Sequence, residues 1–221
     1  MKWIKNLNIK KNPKKKITII DYGMGNILSI QNAINFLGYK SFLSNKPNII
    51  EKSDVLILPG VGSFNEAMKR LNKLKLVEAI KKNILRNDGK ILGICLGMQL
   101  LAKNGTENGN IKGIGLLNGS VLSLKLKTGK VLPHIGFNKI TNMPNTKLFN
   151  GIKKDKYFYF VHSYYFEPKK EDLNFKYSYC NYGKKFISSF ENDKIFGTQF
   201  HPEKSQRNGL TLLNNFLSLA C

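Results

Sequence analysis

Short apolar runs alternate with longer amphipathic stretches through the first hundred residues. Lys16–Ile20 reads as a strand that ends at the glycine-rich segment Asp21–Asn26. Ile27, Ile30, Ile34 and Leu37 then recur at helical spacing, and Gly38 stands where such a helix stops. A second strand is predicted near Lys40–Leu43. Val55–Leu58 is apolar at every position, as a strand buried on both faces is. Pro59–Gly62 turns the chain, and Ser63 with Glu66 has the spacing of a capping box for the helix that follows. A helix over 77–86 leads into the apolar strand Ile91–Ile94 and the helix-like Leu96–Leu101. Alternation of this kind predicts the α/β class, with a mostly parallel central sheet and helices on both faces.

Beyond residue 115 the texture changes. Val121–Leu126, Tyr157–Phe166, Phe175–Cys180 and Phe186–Phe190 are short alternating or aromatic-rich runs, which suit a small antiparallel sheet. Leu210, Leu213, Phe216 and Leu217 then mark a closing amphipathic helix. There is no internal repeat and no interdomain linker.

Composition narrows the class. A chain of 221 residues, 42% hydrophobic, buries one substantial core, so one domain is expected. Cys95, Cys180 and Cys221 have neither metal-ligand nor paired-disulfide spacing, which fits a reducing compartment, the cytoplasm. No apolar stretch reaches the roughly 18 residues a membrane helix needs, and the start lacks a secretory signal. The formal charge of +22 invites a nucleic-acid reading, but the excess is lysine dispersed along the chain. Only Arg70, Arg86 and Arg207 supply the guanidinium suited to phosphate and base recognition, so no specific nucleic-acid binding is expected. Residues 1–16 hold seven lysines and no acid; residues 1–15 read as a basic extension expected to lack order.

The chemistry concentrates at two places. Cys95 lies in Gly93-Ile94-Cys95-Leu96-Gly97, between a strand and a helix, and His201 and Glu203 lie far along in Gln199-Phe200-His201-Pro202-Glu203. A strand that turns sharply into a helix pushes the residue at its tip clear of the sheet, and flanking glycines leave room for the turn, so Cys95 is expected to be exposed and reactive. The helix aims unpaired N–H groups at the sulfur, which favours thiolate. Thiol, imidazole and carboxylate then form an activated nucleophile, the base beside it and the group that orients the base. Other motifs fall away: Leu28 stands where a dinucleotide fingerprint needs its third glycine, there is no phosphate-binding loop, and His134, His162 and His201 are too scattered for a metal site. No cofactor and no metal are expected.

These residues carry a family resemblance. Asp21-Tyr22-Gly23-Met24-Gly25-Asn26, Leu58-Pro59-Gly60-Val61-Gly62-Ser63-Phe64, Gly93–Leu101, Pro133-His134-Ile135-Gly136-Phe137-Asn138, Phe160-Val161-His162-Ser163-Tyr164 and Gln199–Ser205 occur in the order found in class I, triad-type glutamine amidotransferases. The branch they resemble is HisH, the glutaminase subunits of imidazole glycerol phosphate synthase. The resemblance implies a flavodoxin-like amidotransferase domain over 16–221. It implies that Cys95, His201 and Glu203 are catalytic. Val61, Gly62 and Leu96 would form the oxyanion hole, and Gly60, Gly62, Gln99, Ser163 and Tyr164 would cradle L-glutamine.

It further implies a heterodimer with a HisF-type (β/α)8 cyclase, faced by Pro133, His134, Phe137, Asn138 and Lys204. Ammonia passed across that interface would yield imidazole glycerol phosphate and an aminoimidazole carboxamide ribotide. Ile135 and Phe137 stand where histidine-pathway members carry Met and Trp. A second reading is therefore a paralogue that supplies ammonia for amidation of a surface sugar. A third, of another class, is a catalytically silent scaffold or a lysine-rich nucleic-acid-binding module.

Overall fold

The computed structural model describes residues 15–220, apart from 86, 127, 128, 130, 142–145, 153–155 and 171–173. Apart from Lys15, the basic extension lies outside the described residues, as do Arg86 and Cys221.

The chain opens as β1 (Ile17–Ile20), α1 (Ile27–Phe36), β2 (Ser41–Ser44), α2 (Pro47–Glu51), β3 (Val55–Leu58), α3 (Phe64–Lys73), α4 (Leu76–Leu85), β4 (Lys90–Ile94) and α5 (Leu96–Leu100). β5 (Ala102–Gly105), β6 (Ile111–Lys112), β7 (Leu117–Ser123), β8 (His134–Thr141), β9 (Tyr157–His162) and β10 (Tyr164–Pro168) follow. The chain closes with β11 (Lys176–Asn181), β12 (Lys185–Glu191), β13 (Ile195–Thr198), a 3-10 turn at Pro202–Lys204 and α6 (Gln206–Ala220).

The main sheet has the order β2-β1-β3-β4-β13-β12-β11-β8-β9. Its first five strands are mutually parallel, and from β13 onward every neighbour is antiparallel. The parallel half is the doubly wound, flavodoxin-like arrangement, in which the carboxyl ends of the strands frame a crevice. Side-chain alternation splits the core accordingly. Val55 and Ile57 of β3 join α1 and α6, while Leu56 and Leu58 join α3, α4 and α5 on the opposite face. Helices thus cover both faces, as the alternation predicts.

The antiparallel region departs from expectation in detail. Most of it prolongs the main sheet, and the separate four-stranded sheet, β10-β7-β5-β6, is mixed, because β5 runs parallel to β7. The run Tyr157–Phe166 is two strands: Ser163 breaks it, β9 pairing with β8 in the main sheet and β10 with β7 in the small one. The small sheet packs on α3 and α5 through Leu117, Val121 and Phe166. Ser63 caps α3 by accepting from Glu66 N–H at 3.4 Å, while the Glu66 carboxylate turns to Arg70 at 2.9 Å. Among the described residues, no helix is long and apolar enough to cross a membrane.

Candidate active site

Cys95 occupies the tip between β4 and α5, but it is buried rather than exposed as expected, because the segments around the cleft cover it; its φ of 54° and ψ of −111° strain any residue with a Cβ. Its surroundings hold the strain in place. A Cβ on Gly97 would lie 1.8 Å from the Leu58 carbonyl oxygen, so only glycine lets α5 settle this closely on β3. The Cys95 N–H donates to Thr198 O at 2.7 Å, tying the tip to the end of β13.

That bond explains how distant segments converge. β4 and β13 are parallel neighbours, with Ile94 opposite Thr198, so the residue after β4 and those just after β13 emerge at the same carboxyl edge. His201 is fixed by its own N–H donating to Tyr159 O at 2.9 Å and by Ser205 Oγ donating to its carbonyl at 2.6 Å. Glu203 Oε1 accepts from His201 Nδ1 at 2.8 Å, and neither side chain reaches solvent. The proton on Nδ1 leaves Nε2 free to accept; Nε2 is buried without a partner of hydrogen-bond geometry. Burial opposes the imidazolium, but the neighbouring Cys95 sulfur, then the Glu203 carboxylate, outweigh it and push the His201 pKa up to about 10. Catalytic hydrogen bonds of this kind commonly tighten only when substrate arrives.

Cys95 and His201 line one cleft of about 180 Å³ with Val61, Gly62, Leu96, Gln99, Glu107, Val161, His162, Ser163 and Tyr164. A larger hollow of about 550 Å³ beside Lys103, Asn118 and Lys169 shares none of these residues and is lined by neither cysteine nor histidine. Of the residues expected to cradle substrate, Gln99, Ser163, Tyr164 and Gly62 line the cleft, and Gly62 has the left-handed φ of +101°. Gly60 does not line it. It is buried behind the turn, where a Cβ would meet Tyr22 Oη at 2.7 Å and Gly97 N at 2.9 Å, so its smallness serves packing. Tyr22 Oη donates to Pro59 O at 2.8 Å and steadies the start of Pro59–Gly62. Burial first, then the charge of Cys95, raises the Tyr22 pKa, and the hydroxyl keeps its proton.

The expected partner face divides. Pro133, Ile135 and Phe137 are exposed, Lys204 is exposed with its ammonium 5.9 Å from the Tyr159 ring centroid, and Asn138 is half-buried. His134 is a correction: strand alternation turns it inward, where it is fully buried and stacked against Tyr182 and Phe160. It cannot present its ring to another chain. Instead it belongs to a hydrogen-bonded line of fixed polarity. The Tyr164 carbonyl can only accept, so His162 Nδ1 donates to it at 2.8 Å. His162 Nε2 then accepts from His134 Nδ1 at 2.9 Å, and His134 Nε2 accepts from Asn138 Nδ2 at 2.7 Å. Burial drives the His162 pKa down to about 3, and the hydrogen bond to Tyr164 only partly opposes it.

Two residues, Glu107 in the cleft and Gln199 buried behind it, escaped the sequence reading. Glu107 accepts from the Phe64 N–H at 2.7 Å with Oε2 while lining the cleft. Its signal was weak: an isolated acid in a turn of a chain with 14 acids. Gln199 lies beside the sulfur, and the motif that carries it drew notice only for His201 and Glu203.

Comparison with known proteins completes this picture. Residues 18–219 match the family model "Glutamine amidotransferase class-I". "Imidazole glycerol phosphate synthase subunit HisH 1" of Campylobacter jejuni is 44% identical, covering 92% of this chain and all of that one. The subunit of the same name from Parasynechococcus marenigrum is 47% identical over 93% of this chain and 98% of its own, and HisH of Aquifex aeolicus 43% over 91% and 95%. Among solved structures, a glutamine amidotransferase superposes with TM-score 0.71 at 18% identity, over 92% of this chain and 98% of that one. A chain from the PurLQS structure of Thermotoga maritima superposes with TM-score 0.66 at 20% identity, over 92% and 98%; both likenesses speak to fold. With a sulfur at a strained elbow beside a buried imidazole–carboxylate pair, and with these relatives matching more than nine-tenths of its length, the chain belongs to the class I glutamine amidotransferase family, in its HisH branch.

Proposed function

We infer that this chain hydrolyses L-glutamine to glutamate and ammonia as the HisH subunit of an imidazole glycerol phosphate synthase. It passes the ammonia to a HisF-type (β/α)8 cyclase in histidine biosynthesis, in the cytoplasm. The observation that carries the chemistry is the meeting of Cys95 with the His201–Glu203 pair in one cleft at the carboxyl ends of β4 and β13. The names of the HisH relatives supply the pathway. On this reading residues 16–221 are the amidotransferase domain.

The steps follow from the groups present. His201 Nε2 takes the Cys95 proton, and the thiolate attacks the side-chain amide carbon of glutamine. The proton then passes to the departing nitrogen, leaving a γ-glutamyl thioester and ammonia; water, deprotonated by the same imidazole, releases glutamate. Glu203 holds the Nδ1–H tautomer and offsets the imidazolium charge. The backbone N–H groups of Leu96 and of the Val61-Gly62 turn receive the carbonyl oxygen as it gains charge, each donor contributing roughly 3 kcal/mol. Gln99, Ser163 and Tyr164 wall the substrate. Among the described residues, Glu107 is the carboxylate that lines the cleft, and its charge suits the α-ammonium of the amino acid.

Pro133, Ile135, Phe137, Asn138 and Lys204 face the cyclase. Ile135 is 58% and Phe137 45% exposed, an apolar end of the main sheet that an interface would cover. Because these two positions differ from the usual Met and Trp and both point outward, the sugar-amidation reading concerns this same face. The test is direct. Cys95→Ala abolishes ammonia release while folding normally, and adding the cyclase accelerates the wild-type chain; residual turnover in the variant overturns the assignment. Recovery of a sugar-modifying enzyme with the native complex, in place of cyclase activity, transfers the assignment to the paralogue.

A further inference from the structure

Gln199 is fully buried at the end of β13, two residues before His201, and its side-chain nitrogen lies 3.8 Å from Cys95 Sγ. An amide's oxygen and nitrogen have nearly the same shape, so its orientation must come from its partners. Here the partners leave one choice. The Tyr164 carbonyl accepts and cannot donate, so the Gln99 atom 2.8 Å from it is the amide nitrogen. That same nitrogen lies 3.0 Å from the Gln199 amide, which must therefore offer its oxygen there. The Gln199 NH₂ is then left facing the sulfur.

The sulfur has two neighbours of opposite preference. The Val161 carbonyl, 3.8 Å away, can accept from a thiol but repels a thiolate. The Gln199 N–H does the reverse. We propose that Gln199, locked by Gln99 and the Tyr164 carbonyl, is a hydrogen-bond donor that stabilises the Cys95 thiolate. When the thiol proton moves to His201, the negative sulfur keeps one fixed donor in a pocket with little water, and the amide retains its own proton. The same donor receives the charge again when the thioester breaks and sulfur leaves.

This rests on Cys95 being the nucleophile, and the experiment separates the two claims because alkylation needs no glutamine. Iodoacetamide modification of Cys95 is followed across pH in the wild type, Gln199→Leu and Gln199→Met, with Cys95→Ala as the blank and urea unfolding as the check on folding. Both variants should shift the midpoint of the alkylation profile upward by about one pH unit or more. Their kcat for glutamine should fall about tenfold with KM within about twofold. In the wild type, the Gln199 side-chain amide proton should shift downfield through the same pH range, and not in Cys95→Ser. A folded variant with the wild-type profile, a loss confined to KM, or an amide resonance indifferent to pH overturns the proposal and leaves the nucleophile reading standing. A wild-type chain whose Cys95 resists alkylation removes both.

Discussion

His162→Gln perturbs a buried imidazole whose proton affinity has been forced down by its surroundings. In the unfolded chain the ring titrates at its ordinary 6.5; in the folded protein burial lowers this to about 3, with repulsion from His134 and His201 adding to the effect. A group that binds its proton more weakly when folded contributes stability above pH 6.5, and that stability is lost as pH falls toward 3. Linkage between these two values gives a loss of about 2 kcal/mol at pH 5 and about 3 kcal/mol at pH 4 from this residue alone. The variant removes that slope but disturbs the bonds to Tyr164 O and His134, at a cost of about 1–3 kcal/mol near neutral pH. Urea unfolding, followed by far-UV circular dichroism from pH 8 to pH 4, should show the variant less stable at pH 7 and the two curves converging or crossing near pH 5. Curves that run parallel through this range would refute the assignment of a neutral, buried His162.

Two further substitutions test how the fold serves the site. Gly97→Ala places a Cβ 1.8 Å from Leu58 O, so α5 must lift off β3; stability should fall by about 1–3 kcal/mol and glutaminase kcat by about a hundredfold. A variant with unchanged kinetics contradicts the elbow's geometry. Glu107→Gln keeps an acceptor for the Phe64 N–H but removes the cleft's charge, so KM for glutamine should rise about tenfold with kcat within a few-fold. A fall in kcat alone would assign Glu107 to the chemistry.

The parts of this fold that the amino-acid sequence announces are those whose signals are local. Val55–Leu58 reads as a buried strand because every side chain is apolar, and the helix of Ile27, Ile30 and Ile34 ends where Gly38 adopts φ +83°. Missed elements had their determinants elsewhere. β13 is only Ile195–Thr198, too short for periodicity, and is a strand because β4 and β12 flank it. β5 carries Lys103 and Asn104 and is held by β7 and β6 rather than by its own pattern. Tyr157–Phe166 looks continuous because both halves are rich in aromatic side chains; only the separate partners of β9 and β10 reveal the break at Ser163.

The site divides in the same way. Cys95, His201 and Glu203 are legible because their chemistry demands those residue types. Gln199 is one more buried polar residue until Gln99, 100 positions earlier in the chain, fixes its orientation. His134 was expected at the partner face only through the family resemblance of Pro133–Asn138, whereas strand parity buries it.

The central claim is that Cys95 becomes covalently joined to the substrate. Acid quenching of the chain during turnover with glutamine and an added HisF-type cyclase, followed by peptide mass spectrometry, tests this most directly. The expected result is a γ-glutamyl group on the Cys95 peptide that disappears once glutamine is exhausted. Sustained glutamate release with Cys95 never acylated would contradict the account.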